Sequence, residues 1–235
     1  MAMIGERDQS HWISRIGGAS AIVGGVLGLV GNLVHPATAG PGDPAETARV
    51  VADSSIWVPL HITLLVSFLL MLGGLVAIHD SIPGGLPGAV ARFGLMAAIV
   101  GTGGGVVLLA LDGFAAKHLA EAWASAPAEG RAVALAAFRA EDSINFALLS
   151  PLNLVFAGFT FVLFGLAAAW SDVYPRWLGW VAVVGGAGGA ASGVVQAYIG
   201  EPSAFTKTLG IAAPSIITVW LIAMGVMLVR EERTG

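Results

Sequence analysis

The chain has 235 residues, of which 56% are apolar and only 11% charged, with 15 acids, 11 Lys plus Arg and no cysteine. A soluble globular chain carries about a quarter charged residues, and a net charge of −4 builds no basic field for nucleic acid. Soluble enzymes, nucleic-acid binders, disulfide scaffolds and thiolate metal sites are therefore excluded.

No Asp, Glu, Lys or Arg occurs in residues 16–42, 54–79, 93–111, 143–171, 177–200 or 208–229. A membrane-spanning helix needs about 20 such residues. The runs are continuous and lack the alternation of barrel strands. The expected fold is an all-α membrane protein, a six-transmembrane-helix bundle forming one transmembrane domain over 1–235. Its spans fall at about 16–35, 56–78, 90–111, 143–170, 178–198 and 211–229, with outer loops at 36–55 and 112–142.

The first span ends at His35-Pro36, because proline disfavours helix in the residue before it. It is too long for the apolar stretch of a signal peptide, despite the small-residue sequence Ala37-Thr38-Ala39. In the loop that follows, Asp43-Pro44-Ala45-Glu46 reads as the start of a short surface helix capping the bundle. Asp53-Ser54-Ser55 suits the N-cap of the second span. The third helix continues past the membrane towards Ala126, and residues 127–141 are amphipathic enough to lie on the interface. The fourth carries a kink at Pro151 that neighbouring helices accommodate.

Arg15, Arg92 and Arg176 each stand nine residues before a glycine, Gly24, Gly101 and Gly185, within Ala-(Ile/Val)-Val-Gly. This spacing suggests three parallel helical-hairpin repeats; the alternative is that membranes demand an Arg anchor and a small-residue seam wherever a helix enters. Gly24-x3-Gly28, Gly101-x3-Gly105 and Gly185-x3-Gly189-x3-Gly193 favour close helix contact, within the bundle or in a homo-oligomer. The side bearing both termini has net charge 0 and the opposite side −4, placing both termini in the cytoplasm of a multi-pass protein of the cytoplasmic membrane. Trp12, Trp170, Trp177 and Trp180 on one side, and Trp57, Trp123 and Tyr198 on the other, suggest two aromatic belts.

With that topology the polar residues crowd the outer side. His35, Asp112 and His118 follow the ends of odd spans, and His61 lies a turn and a half into the second. Asp142 and Asn145 open the fourth. At 100° per residue, Asp142, Asn145, Leu149, Asn153, Phe156 and Thr160 fall within about 80° of one another, a stripe descending towards mid-membrane. Buried polar groups in lipid face a bundle interior or a cavity, so an outward-facing pocket is expected.

His35, His61, Asp112 and Asp142, with His118 as a further candidate, match the ligand types of a divalent transition metal. Haem is a weaker reading, because His79 on the face of His61 has no inner-side companion but His11. Trp57, Phe146, Asn145 and Asn153 are expected to complete a site for a small amphiphilic ligand. Asp112 and Asp142 are the candidate acids if the protein is instead an enzyme acting on a lipid or isoprenoid substrate. A transporter or partner subunit is a further reading. Each residue has a plainer role beside it: His61 an interhelical hydrogen bond, Asp112 a partner for Lys117, His118 a solvated side chain, and Glu141 an acid at a helix N-terminus. The expected partners are the bilayer and an amphiphile, with no nucleic acid.

The stretch Tyr174-Pro175-Arg176-Trp177-Leu178-Gly179-Trp180 resembles a signature in a family of uncharacterised bacterial six-helix integral membrane proteins. The resemblance implies an envelope protein of similar size and unknown function, and it supplies no site residues.

Overall fold

The computed structural model describes residues 2–38, 42–200 and 204–231, with side chains described for 11–38, 42–200, 205, 206 and 208–230. Ala39 of the Ala37-Thr38-Ala39 sequence lies outside the described residues. Among the described residues the chain is helical with no strand. The α-helices are α1 (Ala2–Val34), α2 (Pro44–Asp53), α3 (Trp57–Ser81), α4 (Gly85–Ala110), α5 (Ala116–Ser125), α6 (Ala128–Pro151), α7 (Phe161–Trp170), α8 (Arg176–Ile199) and α9 (Ala204–Glu231). Two π-helical stretches interrupt the run, Leu111–Ala115 between α4 and α5 and Leu152–Thr160 between α6 and α7.

Six helical segments are long and apolar enough to cross a membrane: His11–Val34, Trp57–Ser81, Gly85–Ser125, Ala128–Trp170, Arg176–Ile199 and Thr208–Arg230. Large apolar side chains such as Ile16, Val30, Leu33, Phe93, Val100 and Val184 point outward. Only lipid makes that surface stable. The protein is a multi-pass all-α membrane protein.

Helix α1 packs on α3 and α9, the second π stretch and α7 pack on α4 and α8, and α8 packs on α9. Close approach is set by small residues. A Cβ on Gly24 would stand 2.8 Å from the Met71 nitrogen, one on Gly101 2.7 Å from Phe156 Cβ, and one on Gly189 2.8 Å from Ala157 Cβ. These ridges are thus taken up by the chain's own helices. In the middle, Phe68, Phe156, Phe161 and Trp220 form a chain of ring contacts with centroids 4.8 to 5.9 Å apart. Tyr174 is buried and its hydroxyl lies 2.5 Å from Ser81 Oγ, tying the end of α3 to the start of α8. Trp177 and Trp180, just beyond it, are exposed at the bundle surface.

One end of the bundle carries a cap. Helix α2 starts as its sequence demands, with the Asp43 side chain accepting from the Glu46 amide at 3.1 Å and Pro44 at the first position. It packs against α5 and α6. The cap has its own apolar cluster, with Val51, Trp57, Ala120, Trp123 and Phe138 buried. Trp57 and Trp123 therefore do not belong to a lipid-facing belt; they are 1% and 8% exposed. The stretch 112–142, expected as an outer loop, is helical except at Ala126 and Pro127. Helix α6 runs without a break from that cap into the bundle, so the start of the apolar run at 143 does not mark a helix end.

Candidate metal centre

Three elements meet beneath the cap. His35 follows the last turn of α1, His61 sits in the second turn of α3, and Asp112 lies in the first π stretch. A π turn inserts one extra residue and rotates its side chain out of helical register, a feature common at functional sites. Here it swings Asp112 towards α3. Gly113 permits that approach, since a Cβ there would overlap His61 Cβ.

His61 is fully buried, and its Nδ1 is 2.7 Å from the Trp57 carbonyl. A carbonyl only accepts, so Nδ1 carries the proton and donates it. Nε2 is then left to face Asp112 Oδ2 at 3.0 Å. His35 repeats the arrangement. Its Nδ1 donates to the Pro36 carbonyl at 3.0 Å, and its Nε2 stands 4.0 Å from the same Asp112 oxygen. Trp57 closes the unit, its indole Nε1 donating to the Asp112 backbone carbonyl at 2.7 Å. Its ring packs 5.0 Å from that of His35 and 4.9 Å from that of His61. Burial holds the His35 imidazole below its ordinary value, opposed by the Asp112 carboxylate and the Pro36 carbonyl.

One ligand atom from each of His35, His61 and Asp112 lies within 4.8 Å of the others. Metal–ligand bonds of about 2.0–2.2 Å in a tetrahedral shell put neighbouring ligand atoms about 3.3 Å apart. The His61–Asp112 pair has nearly that spacing already, and a small inward turn of His35 completes it. Both histidines have the second-ring-nitrogen contact that metal-binding imidazoles make, an N–H given to a backbone carbonyl. Without a metal, a proton between Nε2 and Oδ2 closes the His61–Asp112 hydrogen bond.

The surroundings are acceptor-rich. Both carboxyl oxygens of Glu141, one of Asp142 and the side-chain oxygen of Asn145 are buried without a hydrogen-bond partner. Glu141 and Asp142 lie within electrostatic reach of Asp112. Glu141 is not at a helix N-terminus: it stands inside α6, which begins at Ala128. Lys117 does not pair with Asp112. Its ammonium donates to the Val51, Ala52 and Ser54 carbonyls at 2.8–3.0 Å, finishing the C-terminal end of α2.

Below the cluster lies a cavity of about 230 Å³, bounded by His35, Asp112 and Asn153 at one end and by Phe68, Phe156 and Ile217 deeper in. Asn153 and Phe156 of the stripe thus reach it. Phe146 instead lines a separate hollow of about 330 Å³ beside Gln196, whose Nε2 donates to the Phe146 carbonyl. His118 is exposed. His79 lies at the other end of the bundle, paired with Asp80 at 2.8 Å in an open groove that also contains Arg92.

A family model described as Domain of unknown function (DUF4386) matches residues 16–225. The chain belongs to this family. No curated protein and no solved structure matches it. His35, His61, Asp112 and their partners Trp57 and Gly113 all fall inside the DUF4386 domain, as does the Tyr174–Trp180 stretch. Trp57 stands at the site as expected from the sequence, whereas Gly113 and Glu141 were not named as site residues. The signal for Gly113 was its place directly after an acid at the end of an apolar run.

Proposed function

We propose that this DUF4386 protein binds a divalent transition metal ion through His35 Nε2, His61 Nε2 and Asp112, in a pocket facing outward from the cytoplasmic membrane. The observation that carries the reading is the shared orientation of the two imidazoles. Each gives its Nδ1 proton to a backbone carbonyl and turns Nε2 towards one oxygen of Asp112. An ordinary interhelical hydrogen bond needs one histidine, not two converging ones. Two imidazoles and one carboxylate suit zinc or ferrous iron, and three protein ligands leave a position free for a ligand. The unpartnered carboxyl oxygens of Glu141 and Asp142, within electrostatic reach of Asp112, add a reason for positive charge at this place, since buried carboxylates without a counter-charge are costly.

The experiment is metal analysis of protein purified in detergent without chelators, followed by titration of stripped protein with zinc, ferrous iron and copper. One ion per chain, lost in His61→Ala and in Asp112→Asn, is the expected result. Wild-type protein that is free of metal and ignores all three ions would overturn the reading.

A further inference from the structure

The cavity below the candidate centre opens sideways. Gly210 lines it and is exposed, yet Gly210 belongs to the apolar segment Thr208–Arg230 and not to a loop. An exposed residue in the first turn of such a segment faces the bilayer near its interface. The opening lies where α1 and α9 part. Further along they touch closely, a Cβ on Gly18 standing 2.9 Å from the Gly225 carbonyl. On the α9-facing side Gly25 still meets Ile222, whereas nearer the His35 end a Cβ on Gly210 would meet nothing within 4 Å, and Asn32 and His35 on one side and Gly210 and Pro214 on the other line the cavity between them. Pro214, one turn on, also lines the cavity. Lacking an N–H, it cannot bond the Gly210 carbonyl, which leaves an acceptor at the opening.

Polarity falls along the cavity. Asn32, His35, Asp112 and Asn153 are at one end; deeper are Phe68, Phe156 and Ile217, with Thr218 and with Ser67, whose hydroxyl is already given to the Gly24 carbonyl at 2.8 Å. Its volume of about 230 Å³ falls below the roughly 300 Å³ where sites for drug-sized ligands begin. There is room for one slender chain and not for a two-chain phospholipid. Charge then selects the head. Asp112 gives its carboxylate to the ion, and Glu141 and Asp142 lie within electrostatic reach of Asp112, so an anionic head would meet nearby acids as well as the ion.

We propose that the site takes a single-chain amphiphile with an uncharged oxygen head, a long-chain alcohol or its like, which enters from the bilayer between α1 and α9 at Gly210. The head takes the open position beside His35 and Asp112, and the chain lies among Phe68, Phe156 and Ile217. This rests on the metal reading for the head and on the cavity alone for the chain.

The full chain in lipid nanodiscs, loaded with zinc, is titrated with chain-deuterated dodecanol. Immobilised probe is read by deuterium magnetic resonance and zinc by elemental analysis. One immobilised probe per chain is expected, displaced by unlabelled dodecanol. Gly210→Phe fills the opening without a backbone clash and should cut probe occupancy at least tenfold while keeping zinc. Gly103→Phe, at another exposed glycine whose Cβ would meet nothing, should change neither. Dodecanoic acid with the same label should bind at least tenfold more weakly at pH 8; equal binding would overturn the head assignment. A protein that holds zinc but immobilises no alcohol, or is indifferent to Gly210→Phe, overturns the inference and leaves the metal reading standing. One that immobilises the alcohol in a Gly210-dependent way and never takes zinc sustains the chain site and removes the metal from it.

Discussion

His35 and His61 turn the same ring atom, Nε2, towards one carboxylate oxygen of Asp112, at 4.0 and 3.0 Å. They come from different elements, the segment after α1 and helix α3, and each Nδ1 proton given to a carbonyl aims its ring at Asp112 while leaving His35 the small turn that a metal requires. Removing His61 or the Asp112 charge should lower zinc affinity by at least 100-fold, more than the 10–100-fold seen when only an outer partner is lost. The matched controls are His118→Ala, an exposed side chain, and His79→Ala, at the other end of the bundle; both should leave zinc content unchanged. Isothermal titration of stripped protein reads all four.

Trp57→Phe tests the outer partner itself. An aromatic ring is kept in the cap cluster and the backbone carbonyl of residue 57 still holds His61, so what is lost is the indole donor to the Asp112 carbonyl and the packing of the indole's second ring. Zinc affinity should fall about 10–100-fold with helix content unchanged by circular dichroism. Unchanged affinity would make Trp57 a packing residue alone.

The charge-free intervals made the six spans legible, because charged side chains are too costly to face lipid or a neighbouring helix there. The depth of His35, His61 and Asp112 was legible for the same reason: so few polar residues remain that their places along each span stand out. The π stretches were not, since a one-residue insertion shifts the helical register without changing composition. Glu141 was misjudged through the same blind spot. Hydropathy marks where the apolar run begins at 143, but α6 begins at Ala128, and the acid therefore sits inside a helix against its neighbours. Trp57 and Trp123 were read as belt residues because an aromatic near a span end is usually interfacial; the cap formed by α2, α5 and α6 buries both.

Gly113→Ala asks whether the π stretch must press against α3. The added methyl overlaps His61 Cβ, and overpacking of this kind costs about 1–3 kcal/mol. The expected outcome is a lower thermal midpoint together with weakened zinc binding, since the helices can separate only by drawing Asp112 away from His61. A variant of wild-type stability and zinc affinity would show that the contact is loose.

Lys117→Met separates the cap from the centre. The ammonium satisfies three carbonyls at the end of α2 and also stands 3.3 Å from Glu121. Hydrogen bonds to a charged donor contribute about 1.5–3 kcal/mol. Faster amide exchange over Pro44–Asp53 is expected, with zinc content intact. Loss of zinc would tie Lys117 to Asp112 after all.

Glu141→Gln is the sharpest test of why the acids are there. Glu141 is 8% exposed and both its oxygens lack a partner. In metal-free protein this is a cost, because a buried carboxyl near Asp112 has neither hydrogen bonds nor a counter-charge. The amide removes the charge at nearly constant shape, so stripped Glu141→Gln should be more thermally stable than stripped wild type. With zinc present the advantage shrinks. The ion gains from the nearby carboxylate, and wild type should gain about 2.7 kcal/mol at 100 times its dissociation constant, with a smaller gain for the variant at the same zinc concentration. That difference in gain is what a charge kept for a cation requires; equal gains, or a variant destabilised in the stripped state, would assign Glu141 to packing.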